Sequence, residues 1–367
     1  MAASVQKIPS PLRGKYAGGA LRYARNPWSM AFFDGKVFLG GGNSNNKGPA
    51  ANAGPVPLFQ IDAKTGKVVQ EYEVKDEQID VFRVLATGGA GELCIPGHDS
   101  KEPPITDWMY GNVYRRRAGG SGWEKLRTIK NGIHVYDVAF HEGVHFAAIA
   151  NLLGAFVARS EDKGLTWHEM PAAVLPFNRA RALLALGGEL YASTNGPTGG
   201  ARIYKWDGGK TMVHAKAAGF FPGCPATCFV ARPTPIGAFS TANEVAYIAA
   251  KPLIDHDWEP QGLFVANASL GARKVALPGN ATPRDLVFSS GKLHVLASTG
   301  TGPKTVVHIF VFSGAGGAAT EVFRQETTTF ARSFALTSAG HYYLGLGCEP
   351  NALHDDSGDL LRVELSG

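Results

Sequence analysis

Residues 136–150 read YDVAFHEGVHFAAIA: an apolar run, a turn at His141-Glu142-Gly143, and a second apolar run. Tyr, Val, Phe and Ile suit a pleated, buried surface, and Gly supplies the backbone freedom of a tight reversal, so the stretch predicts a β-hairpin. The pattern recurs at residues 28–41 (WSMAFFDGKVFLGG), 82–97, 181–194 (RALLALGGELYAST), 227–250, 284–299 (RDLVFSSGKLHVLAST) and 332–347 (RSFALTSAGHYYLGLG). Its starting residues are spaced about 45 to 57 apart, a period expected of propeller blades.

Each hairpin is followed by a loop and two further β-rich runs, as at 156–159 then 166–170, and 306–312 then 321–325. Four strands per unit make a blade. Nearly continuous apolar runs in the first two strands suit strands packed between neighbouring blades. The reading is therefore all-β: a single β-propeller domain over residues 1–367, with seven four-stranded blades starting near 28, 82, 136, 181, 227, 284 and 332. The seventh unit ends after its third strand, 359–365. A stretch of the N-terminus, placed at residues 17–23, is expected to supply the outer strand, because an open ring would expose strand edges.

Composition agrees with one all-β unit: 46 Gly for many turns, 44% hydrophobic residues for a core, and no linker-like segment. The net charge of +5 is scattered, apart from Arg115-Arg116-Arg117, which reads as a strand with solvated sides; no nucleic-acid partner is implied. Cys94, Cys224, Cys228 and Cys348 are too few for a disulfide scaffold, lack zinc-site spacing and are expected to be reduced. The first residues lack the apolar core of a signal peptide, and no run of about 18 apolar residues would span a membrane. A soluble protein, cytoplasmic or incorporated into a virion, is expected.

Residues 160–167 read S-E-D-K-G-L-T-W. With Ser160, Asp162, Gly164, Thr166 and Trp167 in place, this resembles the Asp-box, or BNR, repeat of sialidase-like propellers. The resemblance covers eight residues of one blade. It implies a turn between third and fourth strands, away from the ligand face, that is structural. Asp and Ser oxygens accept turn N–H groups, Gly takes the positive φ, and Trp packs on the sheet. A decayed relative stands at Gly120-Ser121-Gly122-Trp123, and Asp62-Ala63-Lys64-Thr65-Gly66-Lys67 looks like the D-x-x-T-G-K turn of other propellers.

Turns between first and second strands are mostly short, blade 5 excepted. Loops between second and third strands are long at 43–55, 98–110, 251–261 and 348–358, and long loops on a rigid scaffold are where binding resides. They carry His98, Asp99 and Trp108; Asp255, His256, Asp257 and Trp258; and His354 and Asp355. Aromatic rings beside carboxylates suit a glycan or partner contact, the His/Asp grouping suits a divalent metal, and the third alternative is solvated polar loops that cap their own turns. Without a zinc or EF-hand motif, no cofactor and no metal are assigned. Arg83, Arg181, Arg284 and Arg332 stand at the entrances to the innermost strands, where they converge on the channel mouth. They would attract a carboxylate or phosphate there, or pair with Asp137, Asp285 and the acidic loops.

Two functions follow. One is a non-catalytic propeller presenting its long-loop face to a glycan or protein partner, as a homo-oligomer, a larger assembly or a phage virion or tail component. The other is a sialidase-like glycoside hydrolase or lyase acting on acidic sugars. For the latter, Phe82-Arg83-Val84-Leu85 lacks the proline of the usual F/Y-R-I-P strand, and no catalytic residues are assigned.

Overall fold

The computed structural model describes residues 3–44, 54–87, 91–100, 110–151, 154–170, 179–195, 202–215, 219–253, 257–314 and 317–365. Seven antiparallel sheets form the blades of a β-propeller, and the described helix is limited to short 3-10 turns. The innermost strands are Ser29–Phe33, Arg83–Leu85, His134–His141, Arg179–Leu186, Phe229–Pro235, Thr282–Ser289 and Ala331–Leu336. All begin within two residues of the repeat's expected starts.

The core is divided among the blade interfaces. Leu184, Leu186 and Tyr191 of blade 4 pack against Val230, Tyr247 and Phe264 of blade 5. Ala335, Tyr343 and Leu360 of blade 7 pack against Val37, Leu39 and Ile61 of blade 1. Both faces of these strands are covered, which is why their sequences run apolar without alternation. Each fully buried Leu, Phe or Val contributes about 1.5–3 kcal/mol of transfer free energy, and the rigidity of the channel rests on that sum.

The ring is closed by the N-terminus, but not where the sequence places the strand. Ala3–Ile8 pairs with Leu360–Leu365, with Val5 opposite Val363. Residues 17–23 instead contain the 3-10 turn Ala17–Ala20 and lead into a second, Tyr23–Arg25. Gly18-Gly19 explains the difference. A Cβ at Gly19 would stand 2.2 Å from the Leu12 carbonyl oxygen, so the chain doubles back tightly there instead of extending. Tyr23 is buried, and Asn26 donates to the carbonyls of Tyr23 and Cys348, fastening this segment over the ring.

Blade 3 carries two extra strands on its inner edge. His98–Ser100 pairs with Asp76–Gln78 and, through His98, with His134 of the innermost strand.

The turn at 160–167 has the predicted chemistry. Asp162 accepts the Thr166 N–H at 2.8 Å, the Thr166 hydroxyl at 2.6 Å and the Ser160 hydroxyl at 2.8 Å. Gly164 takes φ +84° and gives its N–H to Ser160 Oγ, while the Trp167 indole donates to the Gly164 carbonyl and to Thr128 Oγ1. Asp62 and Asp207 repeat the arrangement with Thr65 and Thr211. The arginine triplet departs from expectation. Arg115 and Arg116 are buried and paired with Glu124 and Glu71, and only Arg117, at the end of the strand, is exposed as expected. All four cysteines are free.

Candidate functional site

Five of the seven innermost strands are interrupted by the same device. Pairing with the second strand shifts register between Val135 and Asp137, Ala180 and Ala182, Ala231 and Thr234, Pro283 and Asp285, and Ala331 and Ser333. The residues passed over are Tyr136, Arg181, Arg232 with Pro233, Arg284 and Arg332. A bulge re-aims the side chain it carries, and here it places an aromatic ring and four guanidiniums around the channel mouth.

The residue after the bulge does structural work. Asp137 accepts the N–H of Val138 in its own blade at 2.9 Å and of Leu183 in the next at 2.8 Å. Asp285 does the same for Leu286 at 2.9 Å and Phe334 at 3.0 Å. Burial pushes the Asp285 carboxyl up, against the pull of Arg232.

Arg83 meets Asp137 in a two-point fork, Nε–Oδ1 2.6 Å and Nη2–Oδ2 2.9 Å. Burial disfavours its charge, but Asp137 prevails and holds its pKa above the ordinary value. Arg332 lies 3.4 Å from Asp257 and 3.3 Å from Glu349, over the rings of Trp28 and Phe330. Arg284 shares Glu349 at 3.3 Å and also stands over Phe330. Asp257 is buried and accepts the Tyr23 hydroxyl at 2.9 Å. Three of the four sequence-predicted arginines are thus neutralised by acids.

Arg181 is different. It makes no ion pair among the described residues; its Nε donates to Asn195 Oδ1 at 3.1 Å. Its guanidinium stands 4.5 Å from the Tyr136 ring centre and 5.2 Å from that of Phe229. Desolvation and the nearby Arg179 press its pKa down to about 10, which still leaves it cationic at neutral pH. It lines a cavity of about 70 Å³ with Trp28, Asp80, Arg83, Arg232 and Trp258. That space fits one small polar group and is walled by rings.

The remaining predicted residues divide. Trp258 belongs to this mouth. His98 is buried with Nδ1 2.7 Å from Asp80 Oδ2, and Asp99 lies 2.5 Å from His134 Nδ1. His354 and Asp355 face elsewhere. His354 Nδ1 accepts the Asp356 N–H, and Asp355 holds Arg22, Arg13 and Arg25 of the N-terminal segment. Trp108, Asp255 and His256 lie outside the described residues.

Sequence reasoning missed Arg232, Asp80, Tyr136 and His134. Arg232 has φ +51°, a backbone state that side chains rarely adopt, and reaches the Trp28 carbonyl. Burial pushes the Asp76 carboxyl up to about 6 although Tyr114 and Asn112 donate to it, but it is walled inside the blade 1–2 connection.

The larger cavity lies at the opposite end of the channel, on the face expected to be structural. It measures about 910 Å³ and is lined by Phe82, Leu85, Val138, Phe140, Leu183 and Phe288, with the blade 5 loop at 237–241 on its rim. Arg83 and Pro233 line both spaces and so stand between them. The long blade 5 turn was the available signal.

The fold and this channel define a seven-bladed β-propeller with a charged, aromatic mouth. No family model matches the chain, and no curated protein matches it in sequence. Among solved structures it is similar to the GH74 enzyme of Niastella koreensis (TM-score 0.59, 11% identity, 88% of this chain and 51% of that one). It spans about half the length of that enzyme. It is also similar to the Pan2 WD40 domain of Neurospora crassa (TM-score 0.58, 11% identity, 100% and 96%). A fungal alcohol oxidase of the AA5 family, solved with copper, gives TM-score 0.59 and 13% identity over 99% and 76%. At such identities the likeness is one of fold, and a fold does not fix an activity. None of the described helices is long and apolar enough to cross a membrane.

Proposed function

We propose that this protein is a binding propeller that captures a carboxylate-bearing ligand, an acidic glycan or an acidic protein side chain, at the mouth of its channel. The observation that carries the reading is Arg181: a cation held by Tyr136 and Phe229, without an acid partner among the described residues, facing a small cavity rimmed by Trp28 and Trp258. A guanidinium in such a site offers its fork to a carboxylate, and the tryptophan rings suit the C–H faces of a sugar. Arg83, Arg284 and Arg332 support the mouth through their acid pairs. Kinship with Asp-box propellers remains part of the proposal and rests on residues 160–167. The same face would serve assembly into a larger particle such as a virion.

A second reading, a glycoside hydrolase of acidic sugars, is supported by the fold likeness to the GH74 enzyme and by the same arginine. Binding and turnover separate the two. A glycan array spanning sialosides, uronate polymers and neutral controls should show retention of acidic glycans only, lost in Arg181→Ala with the melting temperature preserved. Binding that ignores the carboxylate would overturn the first reading. Release of reducing sugar from a bound glycan would favour the second.

A further inference from the structure

We propose that His98, Asp99 and His134 form a binding site for one divalent transition-metal ion, placed behind the channel mouth. The three side chains come together for reasons visible in the backbone. His98 and His134 are direct partners across an antiparallel pair, so their imidazoles share one face of the sheet, with ring centres 5.2 Å apart. Asp99, the next residue along the strand, would ordinarily point to the other face. Instead it adopts φ +59°, a left-handed state costly for most side chains, and its carboxylate returns to the histidines. Oδ1 lies 2.5 Å from His134 Nδ1 and Oδ2 lies 3.9 Å from His98 Nε2.

One ligand atom from each residue falls within 4.8 Å of the others. Ligands of a tetrahedral ion with bonds of about 2.0–2.2 Å stand roughly 3.3–3.6 Å apart, so an ion would draw His98 and Asp99 slightly together and would replace the short Asp99–His134 contact, parting those two atoms by about 1 Å. The other nitrogen of His98, Nδ1, is 2.7 Å from Asp80 Oδ2. A carboxylate on the far side of an imidazole fixes the ring and raises its basicity towards a metal. Two imidazoles and one carboxylate, without sulfur, suit zinc or another late divalent ion rather than calcium or magnesium.

Charge does not point one way. Arg179 and Arg181 both act on these groups and oppose a cation, whereas Asp76, Asp80 and Asp99 favour it. Tyr136 covers the set, stacked on His134 at 5.7 Å and edge-on to His98 at 5.2 Å, and His98 is 1% exposed. An ion here would be a clamp. It would tie His98–Ser100 to the innermost strand of blade 3 and hold Tyr136, on which Arg181 rests.

The test is metal content and coordination of the whole chain. Protein dialysed with Zn²⁺ and freed of excess should retain about one zinc per chain, with a melting temperature that rises on loading and falls back with EDTA. Loaded with Co²⁺, it should show the visible bands of a four- or five-coordinate nitrogen and oxygen site with no thiolate charge-transfer band. Affinity should fall at least tenfold in His134→Ala and Asp99→Asn, and by ten- to a hundredfold in Asp80→Asn, which removes no ligand. Failure to retain zinc would overturn the proposal. So would a thiolate band, or zinc retained undiminished by folded His134→Ala and Asp99→Asn. The Co²⁺ spectrum of the unaltered chain decides the matter if a variant does not fold.

Discussion

The guanidinium of Arg181 and the ring of Tyr136 stand 4.5 Å apart, each carried on a bulge at the same level of neighbouring innermost strands. A cation beside the face of a phenol is attracted to it by about 0.5–2 kcal/mol, which holds the fork in place before any ligand arrives. Arg181→Lys keeps the charge and loses the planar fork. Binding of an acidic ligand should weaken about tenfold in Arg181→Lys. It should weaken by roughly ten- to a hundredfold in Arg181→Ala, as expected of a charge-assisted hydrogen bond worth about 1.5–3 kcal/mol. Titration calorimetry of both variants checks the order: equal losses would mean that the planar fork alone matters, and an undiminished Arg181→Lys that charge alone does.

Asp137 is fully buried and joins three groups: Arg83, its own blade's Val138 and the next blade's Leu183. Asp137→Ala leaves a half-buried guanidinium and two buried N–H groups without their carboxylate partner. It should cost about 3–5 kcal/mol in urea denaturation. Arg83→Met should cost less, because the carboxylate keeps both backbone donors. The reverse order would show that the fork to Arg83, and not the link between blades, is the stabilising element.

His145 and His294 are both held neutral by burial, with pKa values pressed down to about 4; His294 accepts or donates to the Tyr342 hydroxyl at 2.9 Å. Unfolded, each takes a proton near pH 6.5, so the unfolded chain binds more protons between pH 6.5 and 4. Their contribution is therefore intact above about pH 6.5 and is lost as pH falls towards 4. The slope is at most about 1.4 kcal/mol per pH unit for each histidine. Urea midpoints at pH 6.5, 5.5 and 4.5 should fall steadily, and His294→Gln should flatten the fall. An unchanged slope in that variant would assign the effect to other groups.

Removing residues 1–8 uncovers the edge of Leu360–Leu365 along its whole length. Such an edge pairs with other chains. The truncated protein should melt at lower temperature, lose a single cooperative transition and elute partly as aggregate in size-exclusion chromatography. A monomer with unchanged melting would show that the seven inner hairpins suffice.

The blades were legible because their signal is local: apolar runs and a Gly turn within about fifteen residues, as at 136–150. The closing strand was not, since Ala3–Ile8 is largely exposed and carries no period-2 pattern, its place being fixed by a partner more than 350 residues away. Arg83, Arg181, Arg284 and Arg332 could be gathered at one level by counting along the repeat. Which of them is left without an acid among the described residues could not, because that depends on Asp257 and Glu349 arriving from other loops. Bulges leave no mark in composition, so Tyr136 and Arg232 passed as ordinary strand residues. His134 lay just outside the hairpin as read and was not joined to His98, although strand pairing sets them face to face.

The pairing of Ala3–Ile8 with Leu360–Leu365 also has a consequence in time. A ribosome adds about 5–20 residues each second, so the first strand waits roughly 20–70 s for its partner to emerge. Six blades can stack during that interval, while a short polar ribbon stays loose at the rim. Its exposed, weakly apolar sequence is then an asset: it offers little for a chaperone or a neighbouring nascent chain to seize before the ring is sealed.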